Sequence, residues 1–528
     1  MVGVAASVSD GFTVRDGKRA VAGKIGRERR PVRYTNESTI TLRISTVALL
    51  SLALAASTLQ VSARAAARTA TAGGSPRKEN VGTLKPLQVS ENKRFLVTSD
   101  GQPFFYLGDT AWELFHRLDR RQAVEYLQTR AAQKYTVIQA VALAELDGIN
   151  TPNAHGRKPL LNNNPATPDI SPGNEPGDAK QYDYWDHVDF IVSEAAKRQL
   201  YIGFLPTWAS WVQNGIVNEG NAEAYGRFLG SRYARQPIIW VLGGDRNPEG
   251  KENVWRTLAK GIAVGVSGAE DYSKVLMTFH PPGGGASSRW FHDDAWLDFN
   301  MHQTGHGTAA ATQGWNKIKA DYERTPIKPV LDGEPLYEDH PIGFGAAKAN
   351  GFSFDAHVRQ RAYWHVFAGA PGHTYGNHAV WQMYGPGKQP VNGPLFHWSE
   401  AIHRPGAAQM QYLRALIESR PMLSRVPDQS LVTDALDGAE RIQATRGDGY
   451  AFIYSGAGHK FTVNFGKISG AQVKAHWFNP RNGAATLIGT FDNQGTREFK
   501  PQFEGFGSDW VLVLDDASKN WAAPGSVS

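Results

Sequence analysis

The chain has 528 residues, 41% hydrophobic and 20% charged, a globular composition that excludes a disordered or fibrous protein and suffices for a large core plus a second unit. Its formal charge of +6 is unevenly placed: residues 1–80 hold 13 Lys and Arg against 5 Asp and Glu, leaving 43 against 45 in the rest. The body is therefore near neutral, which removes the electrostatic basis for a nucleic-acid partner, and the absence of cysteine excludes disulfides and thiolate metal sites.

In chain order, the first readable element is a leader. Arg43 precedes an apolar run from Ile44 to about Ala56, and small residues follow, with Val61-Ser62-Ala63 and Ala63-Arg64-Ala65 as candidate cleavage sites. The run is shorter than the ~20 residues a spanning helix needs. The pattern predicts an N-terminal extension ending in a signal peptide (1–65, the signal itself about 41–65) and a linker over 66–84. The mature protein is then expected to be secreted or periplasmic, with no stable membrane anchor after cleavage.

From residue 104, short apolar runs alternate with amphipathic stretches. The runs are FFYLG (104–108), TVIQAVA (136–142), YIGFLP (201–206), IIWVLG (238–243), VLMTFH (275–280), DFNMHQ (298–303), PVLDGE (329–334) and GHTYGN (372–377). Between them, segments such as 119–134, 184–199, 221–235 and 354–369 repeat apolar residues at spacings of three and four, and 404–419 follows the last run. Eight strands alternating with helices predict an α/β fold, a parallel (β/α)8 TIM barrel, over 85–427. The rival is an open doubly wound sheet, but no G-x-G-x-x-G follows the first strand. Two long loops, 143–183 and 376–403, follow strands and are expected on the catalytic face; the Pro- and Asn-rich part of the first is expected to form an ordered lid or rim. Beyond residue 428 the helical pattern stops. Short alternating segments broken by Gly and Asn predict a small C-terminal antiparallel β-sandwich over 428–518, followed by a tail over 519–528.

Two strand ends carry acids. WVLGGDRNP (240–248) runs out into Asp245 and LDGEPLYED (331–339) into Glu334. They stand 89 residues apart, three strand–helix units of about 30 residues each, and so should face one another across the mouth of the barrel. Glycoside hydrolysis needs such a pair: one carboxyl protonates the leaving oxygen, and the other attacks the anomeric carbon or activates water. The bland alternative is a pair of rim ion pairs, Asp245 with its neighbour Arg246 and Glu334 with another basic group. Other strand-end residues are candidates for substrate binding: Asp109, Trp112, Trp208, His280, His302, Gln303, His373 and Tyr375. Aromatic faces pack on sugar C–H faces while polar groups fix hydroxyls. The competing expectation for each is packing in the core. Several histidines cluster, but none shows the H-E-x-x-H spacing, so neither a catalytic metal nor another cofactor is expected.

The segments LGDTAW (107–112), WVLGGDRNP and LDGEPLYED resemble a secreted bacterial family, domain of unknown function 4038, which includes glycoside hydrolase family 140, the apiosidases of pectic rhamnogalacturonan side chains. The resemblance covers about residues 87–425, and the C-terminal part is similar to the collagen-binding-type β-domain that often follows. It implies Asp245 as acid/base and Glu334 as nucleophile of a retaining enzyme acting on an oligosaccharide or polysaccharide of the plant cell wall, with an apioside as the expected bond. Unlike most retaining barrel glycosidases, which have Asn-Glu after the fourth strand, this chain has Gly-Asp. The alternatives are a barrel glycosidase for another sugar (a glucoside, galactoside or arabinoside) and a non-catalytic matrix- or carbohydrate-binding protein.

Overall fold

The computed structural model describes residues 84–307, 313–344 and 347–526; the expected leader and nearly all of the expected linker lie outside them. After a small antiparallel hairpin sheet (Leu87–Val89, Leu96–Thr98 and Pro103–Phe104), eight parallel strands follow. They are β1 (Tyr106–Thr110), β2 (Val137–Leu143), β3 (Tyr201–Thr207), β4 (Ile238–Gly243), β5 (Leu276–His280), β6 (Asn300–His302), β7 (Val330–Asp332) and β8 (Gly372–Tyr375). These are the eight apolar runs of the sequence.

Continuous ladders join β8-β1-β2-β3-β4-β5 and β6-β7. Two seams close the ring. Between β5 and β6, Asp298 N donates to Met277 O (2.9 Å) and Thr278 Oγ1 to Phe299 O (2.7 Å). Beyond β7 and β8, Glu338 N donates to Gly376 O and His378 N to Glu338 O, both at 2.9 Å. The result is a (β/α)8 barrel.

Along each strand the side chains alternate between two cores. Tyr106, Val137, Val141, Leu205, Ile239, Val241, Met301 and Leu331 fill the barrel interior. Leu107, Ile138, Ala140, Phe204, Trp240, Leu242 and Phe279 face the helix layer. Burial on both faces is why the strands read as near-unbroken apolar runs.

The outer layer includes α1 (Arg120–Ala132), α2 (Tyr184–Lys197), α3 (Glu219–Arg232), α4 (Glu252–Ser267), α5 (Gly314–Tyr322), α6 (Asp355–Phe367) and α7 (Pro405–Glu418). The first three start at side-chain caps, Asp119, Asp183 and Asn218, each accepting from the first-turn backbone. Among the described residues no helix is long and apolar enough to cross a membrane.

The C-terminal part is a six-stranded antiparallel sheet faced by a two-stranded one. Its strands include β9 (Ile442–Gly447), β10 (Tyr450–Ser455), β11 (Phe461–Asn464), β12 (Gln472–Phe478), β13 (Ala485–Asp492), β14 (Thr496–Phe499) and β15 (Trp510–Asp516). Helix α6 lies between the barrel and this sheet and is buried on every face from Val358 to Phe367. Tyr363 stacks on Tyr454 with ring centroids 4.9 Å apart, and Trp364 Nε1 donates to Arg441 O (3.1 Å). Buried Arg359 grips buried Asp509 through Nε (2.9 Å) and Nη2 (2.7 Å). Arg420 binds Asp515 in the same forked way, at 2.8 and 2.7 Å. Forked guanidinium–carboxylate pairs of this kind fix orientation as well as contact.

Candidate active site

At the carboxyl ends of the strands lies a cleft of about 460 Å³. Asp245, Glu334, Trp112, Trp208 and Gln303 all line it. Each acid sits two residues past its strand, Asp245 beyond Gly243 and Glu334 beyond Asp332. The double glycine before Asp245 has two physical reasons. Both residues take positive φ, +96° at Gly243 and +125° at Gly244. A Cβ at Gly243 would sit 2.3 Å from His280 O, and one at Gly244 would sit 2.6 Å from the Trp208 ring. Only glycine lets the chain turn here, and the turn aims Asp245, itself at φ +49°, into the mouth.

Glu334 is buried and held by four close polar contacts, three of them hydrogen bonds. His280 Nε2 (2.8 Å) and Gln303 Nε2 (2.8 Å) meet Oε2, while His306 Nε2 (3.0 Å) and the Tyr337 hydroxyl (2.6 Å) meet Oε1. Burial alone would push its pKa up, but the bonds from His280 and His306 outweigh burial and hold the carboxyl well below the usual range. His280 Nδ1 lies 3.4 Å from Asp245 N and accepts from it, which puts the ring's other proton on Nε2, the nitrogen 2.8 Å from Glu334 Oε2.

Asp245 is in the opposite state. Burial, and then the charge of Glu334, raise its pKa. His280, Arg246 and the Gln303 amide act the other way without reversing the shift. Arg246 does bind Asp245 Oδ2 (2.9 Å), as its place in the sequence suggests, but its side chain is 46% exposed, so solvent screens the charge.

The remaining expected contacts divide by strand parity. His280 points inward and touches Glu334 from behind the cleft wall. Asp109, His302, His373 and Tyr375 do not line the cleft; they point outward to the helix layer. Asp109 binds Arg130 Nε (2.6 Å) and Tyr126 of α1, and His302 binds Asp321 of α5 (2.9 Å). His373 lies against His365 of α6, and the Tyr375 hydroxyl donates to Glu338 Oε2 (2.6 Å). Sugar contact by these four is thus corrected to support of the barrel wall.

The lining also includes residues not singled out in the sequence. Tyr337, His340 and Phe344 follow Glu334, His306 follows β6, and His378, Trp381 and Asn392 come from the loop after β8. Burial lowers the pKa of His340 to about 2 and of His378 to about 4, so both are neutral in the cleft. A third carboxyl, Glu145, follows β2. Of the 143–183 loop it alone lines the cleft; the Pro- and Asn-rich stretch is ordered and largely exposed, but forms no lid over the acids.

The family model of an apiosidase-like catalytic domain matches residues 90–424. The chain belongs to the apiosidase-like family. A second model, described as "Putative collagen-binding domain of a collagenase", matches residues 426–515. Among solved structures, a glycoside hydrolase family 5 protein from Bacteroides vulgatus ATCC 8482 is 35% identical, with a TM-score of 0.77, over 84% of this chain and 95% of its own. A second, described as a glycoside hydrolase, is 36% identical, with a TM-score of 0.76, over 83% and 98%. No curated protein matches the chain. This apiosidase-like chain is therefore a glycoside hydrolase.

Proposed function

We propose that this apiosidase-like chain is a secreted retaining glycosidase in which Glu334 is the nucleophile and Asp245 the acid/base. One observation carries the reading: the two acids end strands β4 and β7 in one cleft, with the His280 ring between them, its Nε2 2.8 Å from Glu334 Oε2 and its Nδ1 3.4 Å from Asp245 N. The two carboxyls sense one another: the charge of Glu334 helps raise the pKa of Asp245. A retaining enzyme sets its carboxyl groups about 5–5.5 Å apart for direct attack, an inverting one about 6.5–9.5 Å apart to hold an intervening water.

The two environments suit the two roles. Glu334, held ionised, attacks the anomeric carbon as the glycosidic C–O bond breaks, and Asp245 gives its proton to the departing oxygen. A glycosyl ester on Glu334 results. Water then attacks the anomeric carbon, Asp245 takes its proton, and Glu334 leaves as carboxylate. The match to the apiosidase-like model supports an apioside of a plant cell-wall glycan as substrate, and the leader around residues 41–65 supports export. A panel of 4-nitrophenyl glycosides, with Glu334→Gln as the inactive control, tests the reading. Hydrolysis by the wild type that disappears in the variant supports it; equal rates in both overturn it.

A further inference from the structure

Glu145 lies two residues past the end of β2, the offset that also places Asp245 past β4 and Glu334 past β7. All three acids line one cleft. The backbone around Glu145 is pinned on both sides: Ala144 O accepts from Trp211 Nε1 (3.1 Å), and Leu146 N donates to Glu113 Oε1 (2.9 Å). Its side chain is half-buried, yet no described protein group hydrogen-bonds the carboxyl, whereas Glu334 receives three such bonds. Four more polar atoms of cleft-lining residues are buried and unpaired: the Trp208 Nε1 donor, the Gln303 Oε1 acceptor, His306 Nδ1 and His378 Nε2. Buried polar groups are normally satisfied. A carboxyl, a donor and an acceptor left open around the two catalytic acids complement adjacent hydroxyls, each of which both donates and accepts.

We propose that Glu145 is a sugar-binding residue that determines specificity, holding a hydroxyl pair of the glycosyl unit bound between Asp245 and Glu334. The inference rests on the glycosidase reading above and goes beyond it to the recognition of the sugar. The protonation state fits. Burial, then the charges of Asp245, Glu334 and Glu113, push the Glu145 carboxyl up to about 8, with Arg246 opposing. The cleft's other titratable groups are His306, His340, His378 and Tyr337. At neutral pH Glu145 therefore carries its proton and can donate and accept at once, a capacity that glutamine reproduces.

The probe is whichever 4-nitrophenyl glycoside of the panel the wild type turns over fastest, together with its monodeoxy analogues. Glu145→Ala is expected to lower kcat/KM about 10–100-fold, the loss of hydrogen bonds to a polar group, with little change in Tm. Glu145→Gln is expected to recover to within about 5-fold of wild type near pH 6, where both side chains are neutral donors and acceptors. Deleting the contacted sugar hydroxyl should penalise the wild type by a similar factor but Glu145→Ala by less than about 3-fold, because the partner is already gone. An active wild type with Glu145→Ala within about 3-fold of it, or additive losses at every hydroxyl, overturns this inference alone. A wild type inactive on the whole panel overturns the glycosidase reading, and this inference with it.

Discussion

Replacing His280 by alanine removes the 2.8 Å imidazole–carboxylate contact that, with three hydrogen bonds, keeps Glu334 ionised. Hydrogen bonds to charged groups contribute about 1.5–3 kcal/mol, and one pKa unit corresponds to ~1.4 kcal/mol. The variant's Glu334 should therefore rise by about 1–2 units. The sign follows from the role. In the proposed role Glu334 acts as a carboxylate, so activity is lost as pH falls through its depressed pKa, and raising that pKa moves the acid limb upward. The assay is kcat/KM against pH with a dinitrophenyl glycoside, whose departure needs no proton from Asp245, so the acid limb reports Glu334 in the free enzyme. His280 also packs edge-on against Trp112 with ring centroids 5.3 Å apart, so the truncation will lower stability and the plateau rate too. Only the displaced limb reports the lost hydrogen bond. An acid limb within about 0.3 units of wild type, on a folded variant, would refute the claim that His280 tunes Glu334.

Three further outcomes follow from the same geometry. Asp509→Ala leaves Arg359 buried with only Asp355 and Gln409 as side-chain partners; it should destabilise by about 3 kcal/mol in urea unfolding, whereas Asp509→Leu with Arg359→Met should recover most of that, and equal losses would contradict a paired-charge interface. Glu145→Gln should melt higher than wild type at pH 8 but not at pH 4.5, because a carboxyl whose folded pKa is raised loses stability as pH climbs from its unfolded value toward about 8; a difference that does not depend on pH would contradict the shift. Asp245→Ala should keep far more activity on dinitrophenyl than on alkyl glycosides in the first chemical step, measured as kcat/KM, and equal losses on both would remove Asp245 as the proton donor.

Most of the architecture was legible because burial on both faces of a parallel strand leaves a plain apolar run, and eight such runs with helical segments between them admit few topologies. Even GHTYGN, weak as a strand by composition, pairs as Gly372–Tyr375 beside β1. The two acids stood out because each follows such a run at once. What did not show was direction. Asp109 and Tyr375 sit at strand ends, as a ligand-binding residue would, but alternation turns them outward to Arg130 and Glu338. Counting in twos from Tyr106, which points inward, would have assigned Asp109 to the helix layer. Glu145 was missed because LAELDG reads as the start of a polar loop, although its offset from β2 is the one shared by Asp245 and Glu334. His306, His378 and Trp381 come from loops with no periodic signal; only the folded chain brings them to the cleft.

The account stands on Glu334 as nucleophile, and azide rescue of Glu334→Ala tests it most directly. The truncated side chain leaves a space below the anomeric carbon that a small anion can fill. With a dinitrophenyl glycoside as substrate, turnover should fall by several orders of magnitude and partly return on adding azide, and NMR should show a glycosyl azide of configuration opposite to the substrate. No recovery with azide, together with a wild-type sugar product of inverted configuration, would contradict the account and make Glu334 a base that activates water.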